Sequence, residues 1–122
     1  MSLKEDPKFE TVWAPESYAD TTSSAVRFVP VLKGAAVMGY LWAAVTDGAA
    51  DYVPREDADE VGFNVSVAWV QRLREAKAEG LSPLQLLGRW AGEPEDPQTG
   101  YIEPGSEQEL PSLAALEELA EQ

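Results

Sequence analysis

Arg27, Tyr40 and Arg55 are the side chains whose types invite chemistry: two guanidiniums and a phenol, with Trp42 and Asp51 nearby in an apolar stretch. If the strands carrying them pair, the guanidiniums would grip a carboxylate or other small anion above an aromatic floor. Ordinary cation–π packing that shields an apolar sheet face accounts for the same residues and is the preferred reading. The chain has no histidine and no cysteine. That removes the commonest general base, thiolate nucleophiles and the usual transition-metal ligands. Catalysis would fall to carboxylates, Arg, Lys, Tyr or hydroxyls, so an enzyme is the less favoured class and no catalytic residue is named.

The acids Glu56, Asp57, Asp59 and Glu60 invite a calcium reading, but such a loop wants acidic or amide residues at alternate positions and glycine in sixth place. Counting from Glu56, the sixth residue is Val61. A solvated acidic approach to a helix fits better, and no metal or cofactor is expected. Gly34, Gly39 and Gly48 lack the spacing of a phosphate loop.

The elements that must hold these residues begin with residues 28–45. This run is shorter than the roughly 20 apolar residues a bilayer core requires, and it contains Pro30 and Lys33. Asp47-Gly48 favours a two-residue type I′ turn. That turn pairs Thr46 with Ala49, Trp42 with Val53 and Tyr40 with Arg55. Residues 25–32 then pair back against 36–45 through a four-residue loop, 32–35, with Pro30 opposite Val37. The register puts Val26, Phe28, Pro30, Val37, Leu41 and Tyr52 on a core face, with Phe28 over Gly39. Arg27, Val29, Met38, Tyr40, Trp42, Asp51 and Arg55 fall on an outer face too apolar for plain surface.

Spacing of Trp69, Val70, Leu73 and Ala76 predicts a helix over about 65–79, capped by Asn64 or Ser66 and ended by Gly80. Ser82-Pro83 with Gln85 forms a capping box ahead of a helix over 83–91, with Leu84, Leu87 and Trp90 as its stripe. Trp69 and Trp90 read as core. The expected fold is α+β: a three- to four-stranded antiparallel meander, two helices on one face and a short C-terminal helix. Residues 1–24 form an arm or supply an edge strand near 10–14, 25–92 the core domain, and 93–122 an acidic, Pro/Gly-rich connector and amphipathic helix. Ser112 caps that helix, and Leu113, Leu116 and Leu119 make a stripe that needs a surface, either its own sheet around Tyr40 and Trp42 or another protein.

The chain has 122 residues, enough for one domain, 44% of them hydrophobic, and a net charge of −13. That charge repels phosphate backbones and anionic lipid, so neither nucleic acid nor membrane is an expected partner. The start of the chain lacks signal-peptide character, so a cytoplasmic location is the default expectation. The lone isoleucine, Ile102, and lone asparagine, Asn64, suggest a GC-rich bacterial genome. The favoured role is a protein-binding or accessory module whose partner is another protein or a second copy of itself. The alternative is a small-anion or carboxylate ligand-binding protein or carboxylate-based enzyme on the outer sheet face. A third and weaker idea is mimicry of DNA by the acidic surface.

Overall fold

The computed structural model describes residues 17–122; the edge strand expected near residues 10–14 lies outside them. The architecture is α+β. Strands β1 (Val26–Lys33), β2 (Ala36–Ala44), β3 (Ala50–Pro54) and β4 (Gln108–Leu110) form an antiparallel sheet in the order β3-β2-β1-β4. The helices are α1 (Asp59–Ala78), α2 (Pro83–Arg89) and α3 (Leu113–Ala120), and a 3-10 turn at Glu56–Ala58 leads into α1.

The sheet is buried on both sides. Successive strand residues point to opposite faces, and in β2 the neighbours Leu41 and Trp42 are only 0% and 2% exposed. Leu41 joins Val29, Val31, Tyr52, Trp69 and Leu86 beneath α1 and α2. Trp42 joins Val26, Phe28, Tyr40 and Leu116 beneath α3. Tyr52 stacks on Trp69, whose edge meets Trp90, so an aromatic run links β3 to both larger helices.

The register corrects two expectations. Between β2 and β3, Trp42 lies opposite Asp51, not Val53, and Tyr40 opposite Val53, not Arg55. The loop is longer than an Asp-Gly turn: the Ala44 N–H donates to the Ala49 carbonyl at 2.9 Å, and Gly48 does not adopt a positive φ. The Asp47 carboxylate instead accepts from the Ala49 N–H and the Thr22 hydroxyl. Val45 and Thr46 donate to Ala25 and Ser24. The preceding segment thus satisfies backbone groups that a tight turn would leave to itself. A shift of two residues leaves each side chain on its expected face.

The first hairpin differs by an odd number. Lys33 pairs with Ala36 around a turn at Gly34-Ala35, with Gly34 at φ +61°, in place of the expected four-residue loop. Between the Leu32–Val37 and Val31–Gly39 pairs, Met38 is an extra residue in β2. This bulge turns all of β1 over relative to expectation. Phe28 opposes Trp42, not Gly39, so Val26 and Phe28 leave the face covered by α1 and α2, and Val29 and Val31 replace them. The Met38 side chain enters the helix-side core, and its carbonyl accepts from the Arg55 N–H at 2.9 Å.

Helix α1 starts six residues earlier than expected, so Glu56 and Asp57 fall in the 3-10 turn before it, Asp59 and Glu60 in its first turn, and neither Asn64 nor Ser66 caps it. Gly62 suits that first turn, because a Cβ there would collide with Ala58 and lie 3.6 Å from the Met38 carbonyl oxygen. Gly80 ends the helix region at φ +83°. In α2 the capping box forms, Ser82 Oγ accepting from the Gln85 N–H and Gln85 Oε1 from the Ser82 N–H. Leu86, rather than the exposed Leu84, joins Leu87 in the core.

The connector is docked. Leu32 and Tyr101 exchange two backbone hydrogen bonds of 2.8 Å, and Ile102 is buried. The Asp96 carboxylate accepts from the Gln98 and Thr99 N–H groups, which hold it below the usual carboxylate range. Trp69 Nε1 donates to the Thr99 carbonyl at 3.0 Å. The chain then supplies β4 along the free edge of β1, and Ser112 caps α3 by accepting from the Ala115 N–H.

Gly39 gives a direct check on this packing. A Cβ there would run into the Tyr52 hydroxyl and the Val53 carbonyl, in a core that tolerates overpacking poorly. Gly39→Ala should therefore lower stability by about 1–3 kcal/mol, read as a lower midpoint in urea unfolding; an unchanged midpoint would refute the close approach of β2 and β3.

Candidate functional site

The expected anion clamp is not assembled. Arg27 lies opposite Ala43 in β2, and its guanidinium pairs with Glu107 at 2.7 Å. Arg55 follows β3 at the level of Met38, roughly 16 Å away along the sheet at the usual strand rise. The overturned register of β1 also places Arg27 on the other side of the sheet from Tyr40 and Trp42. Tyr40 and Arg55 do meet, at 2.8 Å between the phenol oxygen and Nη1. Trp42 is buried beneath α3. Asp51 lines a small recess at the β3 edge with Tyr18 and Asp20.

Arg55 works as a clasp. Its Nε and Nη2 donate to the two Asp57 carboxylate oxygens at 2.9 and 3.2 Å, and Nη1 reaches the Leu119 carbonyl at 3.4 Å. Nη2 also donates to the Gln122 carbonyl. The Leu119 carbonyl lies in the last turn of α3 and the Gln122 carbonyl just beyond its end, where a cation satisfies orphan carbonyls and offsets the helix dipole. The hydrogen bonds to Asp57 and Tyr40 hold the guanidinium above even its usual range, and Arg55 in turn holds the Asp57 carboxyl low. Leu116 is fully buried on the sheet, and Leu113 and Leu119 pack partly buried around the same cluster. The leucine stripe therefore covers its own sheet in this structure.

Among the described residues another surface is left uncovered. Phe63, Val67 and Val70 are 63%, 55% and 45% exposed, and their i, i+4, i+7 spacing puts them on one face of α1. Val70, expected in the core stripe, belongs here. The buried face is Val65, Trp69, Leu73 and Ala76. Phe63 also borders a groove of about 610 Å³ floored by Val53 and Pro54 and edged by Asp59, Glu117 and Glu121. Asp59, at its mouth, has φ +53° and ψ −136°, a backbone conformation that L-residues avoid. The sequence contained the signal for this stripe, but it emerges only when the helix is started at Asp59, since alternation from Phe63 to Trp69 otherwise resembles a strand.

Among the described residues no three carboxylates converge on a position suited to a metal ion, and no helix is long and apolar enough to cross a membrane. Neither a family model, a curated protein nor a solved structure matches this chain. The geometry offers an apolar stripe along α1 beside an acid-edged groove.

Asp51 carries a testable pH effect. Burial pushes its carboxyl up, the Tyr52 backbone N–H pulls it part of the way back, and Asp20 adds repulsion. A carboxyl with a higher pKa folded than unfolded leaves stability intact below its unfolded value of about 3.9 and reduces it progressively as pH rises through the folded value. Asp51→Asn should therefore raise stability at pH 7 and give little gain at pH 3, measured by urea unfolding. An equal effect at both pH values would show that this carboxyl is not perturbed.

Proposed function

We propose that this chain is a small protein-binding or accessory module whose contact surface is the exposed face of α1, not the outer face of the sheet. The observation that carries this reading is Phe63, a large aromatic left 63% exposed in line with two further apolar side chains on a stable helix. Scattered surface apolar residues need no explanation, whereas a contiguous row edged by charge is the usual form of a docking face. The sheet face first expected to serve is occupied by α3. The separation of Arg27 from Arg55 removes the geometry on which a small-anion site would rest. A cytoplasmic setting without direct nucleic-acid or membrane contact goes with the net charge of −13.

A photo-crosslinking amino acid placed at Phe63 or Val70 in the full chain tests the reading. Irradiation in cells should give a discrete protein adduct at both positions and none at the exposed Glu103. Adducts of equal yield at all three positions, or none at Phe63 and Val70, would end it.

A further inference from the structure

The exposed face of α1 is ordered by charge along its length. Asp59 and Glu60 stand at its N-terminal end, Phe63, Val67 and Val70 in the middle, and Arg74 at its C-terminal end, every one of them exposed. The helix dipole accounts for acid at the start and base at the end; it gives no reason for the apolar row between them. A face that runs acidic, apolar, basic is complementary to itself when reversed. Resting on the reading of α1 as a contact surface, we propose that its partner is a second copy of this chain, bound antiparallel, α1 on α1, about a two-fold axis.

The spacing sets the register. An axis between Ser66 and Val67 lays Phe63 against the partner's Val70 and Asp59 against the partner's Arg74, and the symmetry makes each contact twice. Ser66 at the centre is small enough to let the helices approach. Its hydroxyl already donates to the Phe63 carbonyl at 2.7 Å, so closing the interface strands no polar group there. Arg74 forms no ion pair among the described residues. In the pair it would arrive beside Asp59 and near Glu117 and Glu121 of the groove, the part of this acidic surface where a cation relieves most repulsion.

Analytical ultracentrifugation of the full chain between about 10 µM and 1 mM should show reversible monomer–dimer exchange. Phe63→Ser should weaken dimerisation about tenfold or more without lowering the unfolding midpoint. Asp59→Arg alone and Arg74→Asp alone should each weaken it similarly, because each sets like charges opposite one another twice. Mixed together, those two variants should regain a heterodimer, since every reversed charge then meets its opposite. A change that merely damaged the fold would not be rescued in this way. Failure of the mixture to associate overturns the proposal. A chain that stays monomeric at all concentrations also overturns it, and carbene footprinting then separates two cases. Phe63 labelled in the monomer leaves α1 open to a different protein, whereas Phe63 protected in the monomer means that this face is not free, and the contact-surface reading falls as well.

Discussion

Leu41 and Trp42 are adjacent in β2 and both are withdrawn from water, one on each side of the sheet. A sheet with a single apolar face is satisfied by helices on one side; this one needs two covers. Fully burying each such side chain is worth roughly 1.5–3 kcal/mol, so a bare Trp42 face with Phe28 and Tyr40 beside it would be a standing route to aggregation. The rest of the chain is arranged around that requirement. The 20-residue α1 and the capped α2 take the Leu41 side, and the last thirty residues run back across the β1 edge to bring α3 to the Trp42 side.

So short a helix as α3 does not hold itself together in water. Three separate attachments keep it in place. Ser112 satisfies its first turn, Leu116 is buried against the sheet, and Arg55 ties its last carbonyls to Tyr40 and Asp57. The connector is held just as locally, through Asp96, Thr99 and the exchange between Leu32 and Tyr101. A segment whose composition suggests a loose tail is thus a structural part of the domain. Arg55 changes meaning for the same reason: in sequence it looks like half of an anion clamp, and in the fold it is bound to the main chain of its own C-terminal helix.

What could be read from sequence was what short-range chemistry determines. The Ser82–Gln85 box, the left-handed Gly80 and the Ser112 cap each depend on a few consecutive residues, and each stands where its residue types require. Strand faces depend on counting, and a count has no tolerance for an inserted residue. Met38 looks like any other strand residue, yet as a bulge it moved Phe28 and Arg27 to the opposite sides from those expected. The β2–β3 register differs from the Asp-Gly turn's by two residues, an even number, so Leu41 and Trp42 keep their faces. The α1 boundary was hidden because Phe63, Val65, Val67 and Trp69 satisfy strand alternation and helical spacing together.

That double periodicity bears on the uncovered stripe. A helix needs one apolar face to pack on a sheet, and α1 has it in Val65, Trp69, Leu73 and Ala76. Phe63, Val67 and Val70 lie outside that buried face. Their removal to polar residues would cost the fold little, because side chains this exposed already meet water. In a chain otherwise defended by 22 acidic residues against 9 basic ones, such a row stays out of trouble only while it is either covered or too weakly attractive to drive aggregation. The charges at its two ends supply a directional rule for covering it. Like ends repel in a parallel arrangement and opposite ends attract in an antiparallel one, so the same surface that attracts a second helix also selects its orientation.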